Sequence, residues 1–319
     1  MPTQESTALE IVTGALGGLP EPVRTSLFKA VSDLLGGLTA IPAAKLKQYA
    51  QGIEDTTLAR SKVAAAMANA VAAQAPADPI LLQAAVEVFL PTALRKAKNR
   101  INVAISATEH IAQASGVHAG NAAQPPGDDW MNSFIRFAED ASSERLQDLF
   151  GRLLAGEVMR PGAFSIGTLR VLSELDQSMA NDFNQVWSKS VGGAVDYGSE
   201  WRLGESFSRW KRLSEVGLMA PDPVAQRAPS FAPTIDGLSI WAPIQGYNFF
   251  MNLWLNQESS TQWEHIPFTR IGREIGTLLE QPDYRQNLRL MVDRLPKHGM
   301  TRVDLIVFGK DVEVLWYKQ

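Results

Sequence analysis

The run from Trp130 to Asp176, WMNSFIRFAEDASSERLQDLFGRLLAGEVMRPGAFSIGTLRVLSELD, leaves little freedom in how it can fold. Trp130, Phe134, Phe137 and Ala141 recur at steps of four, three and four, which places them on one face of a helix. Ser142 or Ser143 supplies the N-cap of a second helix, with Glu144 favourable in its first turn. That helix carries Leu146, Leu149, Phe150, Leu153 and Leu154 and must stop at Pro161-Gly162. Ser165 caps a third helix running through Leu175, and Asp176 caps a fourth that reaches the neighbourhood of Ser190. Helices this short, with brief connections, bury their apolar faces against one another, so a compact helical subdomain is expected.

The surroundings differ on the two sides. All 8 tryptophans lie at or after Trp130, whereas the preceding region is rich in Ala, Leu, Val and Gly. Between them ASGVHAGNAAQPPGDD, Ala114 to Asp129, is small, polar and without an apolar period. The expected organisation is an N-terminal helical region over 1–115, a linker over 116–129, a central helical subdomain over 130–220 and an α+β domain over 221–319. The fold class is mainly α with a smaller α+β C-terminal part. Upstream, Val23, Leu27, Val31, Leu34 and Leu35 form one stripe, and a long helix is expected from Pro42 to Gln74. Another starts at Pro79 after an Asp78 cap, and Pro91 should kink or split it. Downstream, FSRWKRLSEVGLMAPDP reads as a helix ending at Gly217, and LSIWAPI and NFFMNLWLN as strands. FTRIGREIGTLLE and DYRQNLRLMVDRLPKHG read as helices, and TRVDLIVFGKDVEVLWY as a hairpin turning at Gly309-Lys310-Asp311.

Composition removes several function classes. With 0 cysteines there is no disulfide, thiolate metal site or cysteine nucleophile. The N-terminal MPTQESTALE lacks a basic stretch followed by an apolar one, so no secretory signal is expected and a cytoplasmic location fits. Thirty basic against 34 acidic side chains give a net charge of −4, without the basic bias of a nucleic-acid binder. Gly237 to Gln257 carries no formal charge over a length that could span a bilayer. Its Pro243, Gln245, Gly246, Asn248, Asn252 and Asn256 would sit unsatisfied in hydrocarbon, so two buried strands joined by a turn are expected instead.

Candidate sites are few. Glu157, at the end of an apolar helix, could act as a base or ligand, but no His or second acidic residue accompanies it. A hydrogen bond or ion pair to Arg152, Arg160 or Arg170, fixing the turn after the helix, accounts for it better. Asp304, Asp311 and Glu313 around the terminal hairpin are the other catalytic candidates, of the kind a metal nuclease would use, but Lys318 is not spaced as such a core requires. An ordinary hairpin with solvated polar faces explains them better. His110, His118, His265 and His298 match no metal-ligand spacing, so neither a metal nor a cofactor is expected. No glycine run forms a phosphate loop, and GESFS is not a nucleophile elbow. Arg95, Lys96, Lys98 and Arg100 form the most basic run and could touch phosphate or lipid head groups, although a solvated helix face is the plainer reading. Arg209, Lys211 and Arg212 lie on a helix that ends in Gly-Leu, as in winged-helix modules. That scaffold would serve a DNA-binding regulator or protein packing. The small and apolar N-terminal helices must be buried somewhere, in their own fold, in an oligomer or at a membrane surface.

The central motifs also carry a likeness. Trp130, Phe134, Phe137, Glu144, Gln147, Leu153 to Glu157, Pro161, Gly162, Phe164, Ser165 and Thr168-Leu169 resemble the pattern of the bacterial family named domain of unknown function 2806. Phe268 to Ile275, FTRIGREI, resembles that family's downstream glycine-centred element, with Phe and Ile at two apolar positions. Tyr49 to Ala68 is similar to its long helix, so that the likeness extends over about two thirds of the chain. A second likeness links the middle to abortive-infection proteins of the alpha type. The resemblance implies a bacterial, mobile-element or phage-defence setting and brings no catalytic residues with it. The expectation is an interaction protein that senses a phage product or protein partner and acts by self-assembly, or by membrane contact at the inner membrane, through its N-terminal helices. A metal-dependent nuclease or other hydrolase and a winged-helix-like DNA-binding regulator are the competing readings.

Overall fold

The computed structural model describes residues 20–36, 79–114, 123–227, 239–240, 249–256, 259–307 and 312–318, with backbone alone at 79–90, 226–227, 239–240 and 249–250. The helix expected over Pro42 to Gln74 and the candidate Asp311 lie outside these residues. The chain is mainly α with a smaller α+β C-terminal part, and it divides into two compact units, up to Ser173 and from Glu174.

The first unit is helical: α1 (Glu21–Leu34), α2 (Pro79–Gln113), α3 (Asp128–Ala138), α4 (Glu144–Met159) and α5 (Ile166–Glu174). Helix α2 continues through Pro91 as one element rather than splitting there. Its later turns bury Ile101, Val103, Ala104, Ala107 and Ile111, and it packs chiefly on α4. Helix α1 packs on the same helix with Val23, Leu27, Ala30 and Leu34, all at most 1% exposed. The border between the units therefore falls inside the 130–220 segment, because α3 and α4 share one core with α1 and α2.

The capping residues perform as their chemistry suggests. Ser143 accepts from the Leu146 amide at 3.2 Å, and Asp176 accepts from the Met179 amide at 2.7 Å. The inner faces are less regular than apolar spacing implies. Phe150, Leu153 and Leu154 are buried, but Leu146 and Leu149 are only half-buried while Gln147 between them is 7% exposed. The Gln147 amide is satisfied by Asn99 and Asn102 of α2 and by the Ala141 carbonyl, which lets a polar residue take an inner position. Phe137 is likewise half-buried, under the Arg136 guanidinium, and Ala138 takes the inner place.

The second unit opens with α6 (Gln177–Trp187), β1 (Ser190–Val191), β2 (Ala194–Asp196), a 3-10 turn (Ser199–Trp201) and α7 (Gly204–Glu215). It continues with β3 (Val224–Arg227), β4 (Ser239–Ile240), β5 (Phe249–Asn256), β6 (Gln262–Pro267), α8 (Arg270–Gly276), α9 (Tyr284–Arg294), β7 (Met300–Val307) and β8 (Glu313–Tyr317). One antiparallel sheet has the order β1-β2-β6-β3 and the other β4-β5-β7-β8. The strands expected before and after residue 245 do pair, Ser239 with Asn256 and Ile240 with Leu255, and the terminal hairpin pairs as β7 with β8. The fourth central helix stops at Trp187, short of Ser190, because Ser190 to Asp196 turns back as a hairpin over Gly192-Gly193, with Gly192 at φ 62°.

Helix α9 contributes Leu288, Met291, Val292 and Leu295 to a core with Val191, Trp263, Met251, Leu253, Leu255, Val303 and Leu305. A second cluster packs Phe183 and Trp187, stacked on each other, against Phe268 at steep interplanar angles, with ring centroids 5.2 to 6.2 Å apart. Gly272, in the element after Phe268, lies where a Cβ would overlap the Leu218 carbonyl, so the close approach of α8 to the turn after α7 requires glycine.

Candidate functional site

Glu157 is 3% exposed at the last turn of α4. One carboxylate oxygen accepts the Gly162 amide at 2.6 Å and the other the Phe164 amide at 3.0 Å. The side chain thus closes the Pro161-Gly162 turn, where Gly162 adopts φ 81°. Fixing the turn was the expected role, and backbone amides donate to both oxygens. The turn is also held by Trp130, whose Nε1 donates to the Phe164 carbonyl at 2.9 Å. A general base needs a lone pair facing a substrate, and here one lone pair on each oxygen is directed at the backbone.

The basic run on α2 is drawn into structure at two positions. Lys96 bonds Glu139 at 2.6 Å and lies 3.4 Å from Asp140, and Arg100 also bonds Glu139. Asn99 donates to the Glu139 carbonyl at 2.8 Å. Together these side chains bind the C-terminal end of α3. Burial pushes the Glu139 carboxyl up, but Lys96 and Arg100 outweigh it and hold it below the usual carboxylate range. Arg95 is exposed and Lys98 half-buried on the same helix.

The basic residues of α7 are organised by a carboxylate that sequence reasoning passed over. Asp182 of α6 is 7% exposed and receives Arg209 Nε at 2.8 Å and Arg212 at 2.5 and 3.1 Å. Glu205 lies 3.2 Å from Arg212 and 3.6 Å from Arg209. Burial raises the Asp182 carboxyl, and the two guanidiniums more than reverse this, so it titrates below its ordinary range. Lys211 donates to the Pro221 carbonyl at 3.0 Å and sits 4.4 Å from the Trp210 ring centre. Two of the three cations expected to face a ligand therefore tie α7 to α6.

In the terminal hairpin Asp304 is 3% exposed, not solvated. It accepts Trp254 Nε1 at 2.7 Å and Arg302 Nε at 2.6 Å, linking β5 and β7. Glu313 faces the other way, toward α9, and pairs with Arg285 at 3.0 Å and with Arg289. The two carboxylates point to opposite sides of the sheet and do not converge.

Two further clusters carried no sequence signal, because their members are far apart in the chain. Asp148 Oδ1 accepts Ser106 Oγ at 3.2 Å and meets His110 Nε2 at 2.7 Å, while Arg152 bonds Oδ2 at 2.9 Å. Both Ser106 and His110 reach the same carboxylate oxygen, which is not the serine-to-histidine relay that activates a nucleophile. Asp196 accepts Trp263 Nε1 at 3.0 Å and Arg294 at 2.8 Å, and Arg294 also bonds Glu200 at 2.9 Å. Burial keeps the Asp196 carboxyl above its ordinary range despite these donors. His265, stacked on Trp263 at 4.2 Å, is pushed down by burial against the Trp263 carbonyl and Asp196.

Among the described residues no group of three or more His, Asp or Glu side chains is arranged to hold a metal ion. Among the same residues no helix is long and apolar enough to cross a membrane. Residues 94–220 match the model of the family described as Protein of unknown function (DUF2806). The match covers the central motifs and leaves out both the upstream helix and FTRIGREI, so it is shorter than the sequence likeness suggests. No curated protein and no solved structure matches the chain.

Proposed function

We propose that the chain is a bacterial interaction protein of phage defence, which recognises a phage product or partner protein and acts by assembly or membrane contact through its N-terminal helices. The observation that carries the interaction reading is the use of charge. Glu157, Asp304, Glu313, Lys96, Arg100, Arg209 and Arg212 each bind another part of the same fold. Side chains committed in this way support a scaffold more than a reaction centre. The defence setting rests on the likeness of the central motifs alone.

The second unit supports a docking role in another respect. Helix, strand, short helix, helix and two strands occur in the chain order α6, β2, the 3-10 turn, α7, β3 and β6, with β1 preceding β2 and with β4 and β5 of the other sheet inserted between β3 and β6, and β6 lies between β2 and β3. This is the order of a winged helix, with α7 in the place of the recognition helix. Its Glu205 and Glu215 offset much of its positive charge, which favours a protein partner over DNA.

The test is plating efficiency on cells expressing the chain, across a panel of unrelated phages. Protection against at least one phage is expected, and its absence throughout would reject the defence assignment. A form lacking residues 1–19 should fold, as judged by circular dichroism, and lose protection. Removal of residues 1–74 is less informative, since it takes away α1 and the buried Val23, Leu27, Ala30 and Leu34. Full protection by the shorter deletion would show that these residues are not the effector.

A further inference from the structure

The open edge of the second sheet is complementary to itself. Among the described residues strand β8 has β7 as its one neighbour, in the order β4-β5-β7-β8. The opposite edge, β4, is two residues long, as is β1 in the other sheet, and edges that short offer little to pair with. β8 is five residues, Glu313–Tyr317, of high strand propensity and without proline. Lys318 extends the pairing by donating its amide to the Thr301 carbonyl at 2.9 Å, so the neighbouring Tyr317 amide points to the open side. Val314 is 45% exposed and Tyr317 61% exposed.

The side chains of β8 do not simply alternate. The register with β7 shifts between Val303 and Asp304, leaving Leu315 and Trp316 both packed against the core that α9 covers. Glu313 also lies on that side, against Arg285 and Arg289 of α9. Val314 and Tyr317 occupy the opposite face.

We infer that β8 pairs antiparallel with β8 of a second copy of this chain, in the register that sets Glu313 opposite Lys318, Val314 opposite Tyr317 and Leu315 opposite Trp316. A two-fold axis normal to the sheet keeps each face on its own side, and in this register every pair joins residues of the same face. The centre pairs aliphatic with aromatic side chains, and each end brings Lys318 of one copy beside a Glu313 that Arg285 and Arg289 of the other copy already hold, so the match rests on the strand faces more than on charge. The open amides and carbonyls of the edge are then satisfied, and the two sheets become one. An edge this short buries well below the roughly 1,200 Å² of a stable interface, so the association belongs to the micromolar range. It does not depend on a role in defence and is separate from assembly through the N-terminal helices.

The chain has 0 cysteines, so introduced ones report geometry without background. Sedimentation of the full chain at rising concentration should show a shift from 34.9 kDa toward twice that mass. Val314→Cys and Tyr317→Cys chains, mixed and oxidised, should cross-link to a dimer, and each variant alone should do so at least tenfold less. Val314→Lys, at an exposed position, should abolish the mass shift while leaving the circular dichroism spectrum and melting temperature unchanged. A chain that stays at monomer mass up to about 200 µM, far above a micromolar dissociation constant, overturns the proposal. So does a dimer indifferent to Val314→Lys, or cross-linking of either single variant as efficient as that of the mixture.

Discussion

Buried carboxylates in this protein are best understood by what they hold. Glu157 closes a turn through two backbone amides, and Glu157→Gln keeps the shape but can accept only one of the two, leaving its NH2 against the other amide. The expected cost is about 1–3 kcal/mol in urea denaturation. A metal-dependent nuclease assay of Glu157→Gln and Asp304→Asn beside the wild type should find no metal-dependent cleavage in any of the three. Asp182 is the clearest source of pH dependence. Its folded-state carboxyl titrates below its unfolded value, so its contribution is present above the unfolded pKa of about 3.9 and is lost as pH falls through the folded value. Denaturation midpoints of the wild type should therefore decline steeply below about pH 4, and Asp182→Asn should show a shallower decline there. Equal slopes would mean that Arg209 and Arg212 do not depend on this carboxylate. The signal for Asp182 in the sequence was slight, one acid on a helix, because its partners lie 27 and 30 residues away.

Helices and strands were legible where local chemistry decides them. Ser143 and Asp176 start their helices because their oxygens satisfy amides within three residues, and Pro161-Gly162 ends one because the backbone there cannot continue it. Of the two outcomes expected at Pro91 the split does not occur, since losing one helical hydrogen bond does not end a helix. The short strands β1, β2, β3 and β6 went unrecognised, for two to six residues carry too little periodicity, although Gly192-Gly193 was a usable hairpin signal. Helix α1 is the element on which the first unit leans in a testable way. Leu27 is 1% exposed, and Leu27→Ala should cost about 2–5 kcal/mol in chemical denaturation. A loss below 0.5 kcal/mol, roughly the scale of surface substitutions, would show that α1 is not part of that core.

At the scale of the whole molecule, the proposed preference for a protein partner over DNA rests on charge. The net charge is −4, and Arg209 and Arg212 answer acids of their own unit. In a filter-binding titration at about 50 mM salt, where phosphate contacts are strong, little DNA should be retained, and Arg212→Ala should leave retention unchanged. Tight retention with a steep salt slope that Arg212→Ala reduces would instead establish the DNA-binding reading. The sequence by itself determined the fold class, the helical middle, the Ser143 and Asp176 caps and the terminal hairpin, because each follows from contacts within a few residues along the chain. It also named Glu157 and the basic runs as the charged groups requiring explanation. Only the tertiary structure decided what those groups do and where the units divide. Glu139, Asp148, Asp182 and Asp196 meet partners from distant segments, and α1 and α2 join the central helices in one core. Such pairings depend on three-dimensional proximity, to which periodicity and capping, being local, are blind.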